Sequence, residues 1–178
     1  MTALIHPFVQ VCLLRMRPQD LPFSHLLLGI ALVAHTLVSV VGSATAYPLN
    51  QAIVAGAVET IVLVTLVAAL LLAQSHRERL VQTLTALAGA NAVLGFVALP
   101  VIGLLPESSD AVNVSGVANV ARIVLLVLLC WNVAVMGHVL RHALSIGMAF
   151  GMVLSVVFVW LYWSVLDMLN ISGSTAAS

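Results

Sequence analysis

Five long apolar runs dominate this chain, each parted from the next by only a few polar residues. They fall near Leu26–Ala46, Ala52–Ala73, Leu80–Leu104, Val117–Leu140 and Ala143–Leu166. A helix needs about 20 mostly apolar residues to cross the hydrocarbon layer of a bilayer, and every run reaches that length. Transmembrane strands would alternate in polarity, whereas these runs are continuous. Composition closes the soluble alternative: 62% of the 178 residues are hydrophobic and 7% charged, with a mean hydropathy of +1.19. Soluble domains carry about 25% charged residues, so this chain has too few to cover a water-facing exterior. The expected fold class is all-α, an integral membrane bundle of five transmembrane helices.

The expected organisation is one transmembrane domain over residues 25–168, a segment 1–24 before it and a tail 169–178 after it. Pro48 and Asn50 break the chain between the first two spans, and "SHRER" (75–79) parts the second from the third. "PESSDAVNVSG" (106–116) is the longest polar loop, while only the "RHAL" boundary (141–144) separates spans four and five, which implies a tight helical hairpin. Charge sets the orientation. Arg15, Arg17, Arg77, Arg79 and Arg141 flank the spans on one side, and Glu107, Asp110 and Asp167 on the other. By the positive-inside rule the N-terminus is cytoplasmic and the C-terminus outside. "MTALIHPFVQVCLL" (1–14) is too short to span; it lies along the interface as a short helix after Pro7, or packs on the bundle. It does not read as a cleaved signal, because Arg15 and Arg17 follow the apolar stretch and no small-residue cleavage site comes next. Cys12 and Cys130 belong to no CxxC cluster, so a disulfide or zinc framework is not expected. Net charge is zero, which offers nucleic acid no attractive field.

Polar groups inside the spans are where function is sought, because the bilayer makes them costly. Glu59 and Arg122 are the formally charged side chains within spans, and both lie toward the outer side. An ion pair between them is expected, since a lone buried charge costs far more than a paired one. Ala52, Ala55 and Gly56 share the face of Glu59 and suit close helix contact. Such a pair either fixes which helices adjoin, serves an ion pathway, or marks a docking site for a lipid headgroup or another subunit. His35, Asn91 and Asn132 lie near mid-membrane on three different spans and form a candidate hydrogen-bonded cluster. His35 could alternatively act as a proton relay or haem ligand, although a haem would usually want a second axial ligand. His138 and His142 share a helix face at a spacing able to chelate a metal, but no third ligand or supporting carboxylate is evident.

"GMAFG" places Gly147 and Gly151 on one face of span five, a candidate helix-packing surface. Trp160, Tyr162 and Trp163 near its outer end read as an aromatic belt, or as the lining of a lipid or quinone pocket. "NVS" (113–115) and "NIS" (170–172) match the glycosylation sequon.

Three stretches, "LLRMRPQDLPFS" (13–24), "RLVQTLTALAGANAVLGFVALPVIGLL" (79–105) and "LLCWNVAVMGHVLRHALSIGMAFGMVLSVV" (128–157), together with the span count, resemble the Yip family of five-span membrane proteins, particularly its short bacterial members. The residues that carry the resemblance are Pro100, Trp131 and Gly147. It implies a five-span fold. Eukaryotic members have a longer cytosolic N-terminal region and act with small GTPases. This chain has only residues 1–24 before its first span and lacks the family's trafficking motif, so no GTPase role is implied.

The expected protein is non-catalytic, a multi-pass component of a bacterial inner membrane. It acts through contacts with membrane lipids, a membrane-protein partner or a second copy of itself, without cofactor, metal or nucleic acid. Two alternatives stand beside it: a small transporter or proton-conducting component using Glu59, Arg122 and His35, and an accessory subunit of a respiratory or photosynthetic complex. Orientation is directly testable in bacteria. Green fluorescent protein joined before Met1 should fluoresce and alkaline phosphatase joined after Ser178 should be active; the opposite pattern would refute the charge-based topology.

Overall fold

The computed structural model describes residues 2–105 and 116–169, and everything regular in them is helical. Six helices follow one another: α1 (Thr2–Cys12), α2 (His25–Ser43), α3 (Leu49–Ala73), α4 (Leu80–Ile102), α5 (Gly116–Leu144) and α6 (Met148–Met168). Helices α2 to α6 are each long and apolar enough to cross a membrane. Short 3-10 turns at Pro18–Asp20 and Arg77–Arg79 precede α2 and α4. Glu107, Asp110 and both sequons lie outside the described residues.

Consecutive spanning helices run in opposite directions, so α2, α4 and α6 start, and α3 and α5 end, at one end of the bundle. We call it the arginine end. There Arg79 donates from Nη1 to the His142 carbonyl (3.3 Å), the Ala143 carbonyl (3.0 Å) and Ser145 Oγ (3.0 Å). One guanidinium thus satisfies carbonyls that the end of α5 would otherwise leave bare. Gln82 Nε2 donates to the carbonyls of Gln19 (3.1 Å) and Leu21 (2.7 Å), tying the approach to α2 onto α4.

Three helices finish with a non-glycine residue at positive φ: Leu14 (60°) after α1, Ser75 (60°) after α3 and Ser145 (57°) after α5. Each is followed by an amide that reaches back five residues, Arg15 to Gln10, His76 to Leu71 and Ile146 to Arg141. This is the Schellman closure, which usually employs glycine. The arrangement corrects the expected start of span five at Ala143. Ala143 and Leu144 are buried and complete the last turn of α5, Ser145 ends it, and Gly147 is the extended N-cap of α6.

Helix α4 is the centre of the bundle, with Thr83 to Ala90 buried without a break. Its small residues let neighbours approach: a Cβ on Gly95 would sit 2.6 Å from Val38 Cγ1 of α2, and one on Gly89 would collide with the Phe8 ring of α1. Helix α1 therefore docks on the bundle through Phe8, Val11 and Cys12. It begins before Pro7 and contains it, instead of starting after it. Trp131 Nε1 donates to the Cys12 carbonyl at 3.0 Å, satisfying a bare carbonyl at the end of α1. Burial pushes the Cys12 thiol up to about 11, so it stays protonated and acts as a packing group, its Sγ 3.6 Å from the Ala90 carbonyl.

On the outside, α2 presents Leu26, Ile30, Val33, Leu37 and Val41, one apolar stripe of the kind lipid covers. Helices α5 and α6 meet where Gly137 faces Gly151. A Cβ on Gly137 would lie 3.0 Å from the Met152 amide, and one on Gly151 would strike the Gly137 carbonyl. The glycine face of α6 is thus used within the chain, by Gly151, whereas a Cβ on Gly147 would meet open space. Gly151→Ala should therefore lower stability by roughly 1–3 kcal/mol, as overpacking does, and Gly147→Ala should not, measured by unfolding in mixed micelles. Equal losses would refute the assignment.

Candidate functional site

The half of the bundle away from the arginine end holds a cavity of about 420 Å³ with walls from all five spanning helices. Most of its lining is aliphatic, with Leu63, Leu94, Leu99, Leu125, Leu128 and Val159 among the contributors. The polar exceptions are His35, Ser39 and Ser43 of α2, Glu59 of α3, Asn91 of α4, Asn132 of α5 and Tyr162 of α6. Their helices deliver them for simple reasons. His35 is one turn beyond buried Ala31 and one turn before Ser39, on the face of α2 that meets α4. Glu59 follows Ala52, Ala55 and Gly56, all buried; a Cβ on Gly56 would lie 3.0 Å from the Val40 amide and 3.2 Å from the Thr36 carbonyl of α2. That close approach carries Glu59 toward His35.

Glu59 does not pair with Arg122. Its neighbour is His35, with Nε2 4.0 Å from Glu59 Oε1. Two things correct the sequence expectation. Helix α3 starts at Leu49, earlier than expected, so Glu59 lies about 15 Å along its axis while Arg122 lies about 9 Å along α5. Moreover, α3 packs on α2 and α6 and scarcely meets α5. Arg122 is exposed and donates to Asn119 Oδ1 of its own helix at 3.4 Å.

The expected mid-membrane cluster divides. Asn132 Nδ2 donates to Asn91 Oδ1 at 3.0 Å, joining α5 to α4. His35 lines the same cavity but has no hydrogen bond to either amide. Its residue is 2% exposed, and its Nε2 is one of two buried side-chain polar atoms without a hydrogen-bond partner among the described residues. The other, Thr83 Oγ1, lies off the cavity. A further bond went unforeseen: Thr36 and Thr60 hydroxyls meet at 2.8 Å between α2 and α3. One hydroxyl donates to the other, and the accepting one donates its own proton to a carbonyl of its own helix, Leu32 for Thr36 or Gly56 for Thr60. The signal available was a threonine on each of two adjoining apolar spans.

The remaining candidates are engaged elsewhere. His138 and His142 meet edge to face at 4.7 Å, with His138 Nε2 3.3 Å from the Met16 carbonyl and His142 Nε2 accepting from Arg141 Nε at 3.2 Å. Among the described residues no three His, Cys, Asp or Glu side chains converge as a metal site. Tyr162 and Trp163 line the cavity, while Trp160 faces outward.

Asn132→Leu should remove the link between α4 and α5 and cost about 0.6–2 kcal/mol of bundle stability. Arg122→Ala should change it little, because its bond stays within one helix; a large Arg122→Ala loss in the same unfolding assay would restore the ion-pair account. Comparison of the chain with protein-family models, with curated proteins and with solved structures returns no match.

Proposed function

We propose that this is a non-catalytic multi-pass membrane protein that holds a membrane-dissolved amphiphile between its spanning helices. The observation that carries the reading is His35, a cavity-lining residue whose buried Nε2 has no hydrogen-bond partner and lies 4.0 Å from Glu59 Oε1. An unmet polar atom inside a bundle costs about 1–3 kcal/mol, and a bound polar group would recover that. The cavity volume falls within the range of about 300–1,000 Å³ common to small-molecule sites, and its walls have their usual character, apolar with a few convergent polar groups.

In this reading the arginine end faces the cytoplasm of a bacterial inner membrane, and the amphiphile's polar end reaches the middle of the bundle. The partners are membrane lipids and, through the apolar exterior, a membrane protein or a second copy of the chain. A through-going proton or ion path is disfavoured by what lies between the cavity and the arginine end. There Val67, Leu71, Leu87, Val135 and Val139 are buried against one another, and conduction needs a chain of polar groups.

The test is retention. Wild-type protein extracted gently and analysed by lipid mass spectrometry should carry a near-stoichiometric amphiphile. His35→Leu should fold and lose it, its affinity falling about tenfold or more. Equal amphiphile content in the two proteins would refute the proposal.

A further inference from the structure

We infer that the cavity selects an amphiphile with a protonated primary amine as its headgroup; the inference rests on the binding reading of the same cavity. The first ground is charge. Among the described residues Glu59 is the one acidic side chain on the lining, its side chain one-third exposed (35%), and no Arg lines the cavity. The chain has six basic side chains of the Arg type and no Lys. Arg15, Arg17, Arg77, Arg79 and Arg141 belong to the arginine end, and Arg122 is exposed and bound to Asn119. Residues 106–115 and 170–178 contain no Arg or His either. Beside this carboxylate stand His35 and Tyr162 of the lining, and neither is a fixed cation. An anionic headgroup would meet like charge in a low-dielectric space, which is strongly unfavourable, whereas a cation supplies the missing partner.

The second ground is geometry. Glu59 Oε1 and His35 Nε2 are 4.0 Å apart, too far to bond to each other but well spaced for a shared donor. A nitrogen about 2.9 Å from each atom spans that gap, donating one N–H to the carboxylate and another to neutral imidazole. A hydroxyl can also bridge the two, donating to the carboxylate and accepting from His35 where Nε2 carries the proton, but it brings no charge to offset the carboxylate. An ammonium bearing several N–H groups meets both, and a quaternary ammonium meets neither. The third ground is the wall beside them: Tyr162 and Trp163, their ring centroids 5.7 Å apart, both line the cavity, and aromatic faces attract cations. The aliphatic lining from Leu94, Leu99 and Leu125 takes the tail.

The experiment compares dodecylamine, dodecanol and dodecanoate, which share one tail, for binding to the full-length protein in lipid nanodiscs at neutral pH. Wild type should bind dodecylamine roughly tenfold more tightly than dodecanol, with dodecanoate weakest. Glu59→Gln should bring dodecylamine affinity down to that of dodecanol, and Glu59→Asp should keep part of the amine preference. Unchanged helicity and thermal unfolding of Glu59→Gln in the same nanodiscs show that the preference, and not the fold, was lost. If wild type binds dodecanol or dodecanoate as tightly as dodecylamine, the amine inference fails while the binding reading stands. If none of the three binds, both fail together.

Discussion

The close approach of neighbouring helices to α4 is the constraint on which the rest of this bundle depends. In hydrocarbon no hydrophobic force drives helices together, so they associate by packing backbones closely and by sharing polar contacts. The run from Thr83 to Ala90, rich in alanine and broken by Gly89, lets α1, α2 and α5 lie against α4. Val38 seats at Gly95 and Phe8 at Gly89, contacts that any Cβ would obstruct. Gly56 does the same between α2 and α3, and Gly137 with Gly151 between α5 and α6.

These glycine contacts also explain where the cavity opens. Helix α2 seats α3 and α4 as one set and α5 packs closely on α6 as another, with α4 and α5 meeting between them. Gly137 and Gly151 draw α5 and α6 together toward the arginine end, where buried aliphatic side chains fill the space between the sets. In the other half α3 scarcely reaches α5, and the gap is lined by aliphatic side chains together with His35, Ser39, Ser43, Glu59, Asn91, Asn132 and Tyr162. Asn132 donates to Asn91, and off the lining the Thr36 and Thr60 hydroxyls meet. His35 and Glu59 stand side by side without a hydrogen bond between them, and the proposed ligand chemistry rests on them.

Much of the architecture is legible in the residues themselves. The five spans follow from unbroken apolar runs, because the bilayer demands both length and a helix. The tight hairpin after Arg141 was readable, but its position was not. Ser145 closes α5 in a conformation that glycine usually signals, so the boundary moved to Gly147. The link between Asn91 and Asn132 could be anticipated from two amides at mid-span. The partner of Glu59 could not. Depth alone favoured Arg122, and depth says nothing about which helices adjoin. That choice is made by Gly56 against Thr36 and Val40, a contact between residues with no distinctive pattern in the sequence. The docking of α1 is similar, since only the cradle at Gly89 shows where Phe8 belongs.

The central claim is that the His35 and Glu59 side chains are held apart to receive a ligand's polar group. An experimental structure of the protein in lipid nanodiscs tests it most directly. The account requires non-protein density within hydrogen-bonding distance of both His35 Nε2 and Glu59 Oε1, continuous with a tail along Leu94 and Leu125. A collapsed cavity in which His35 and Glu59 bond to each other would contradict it.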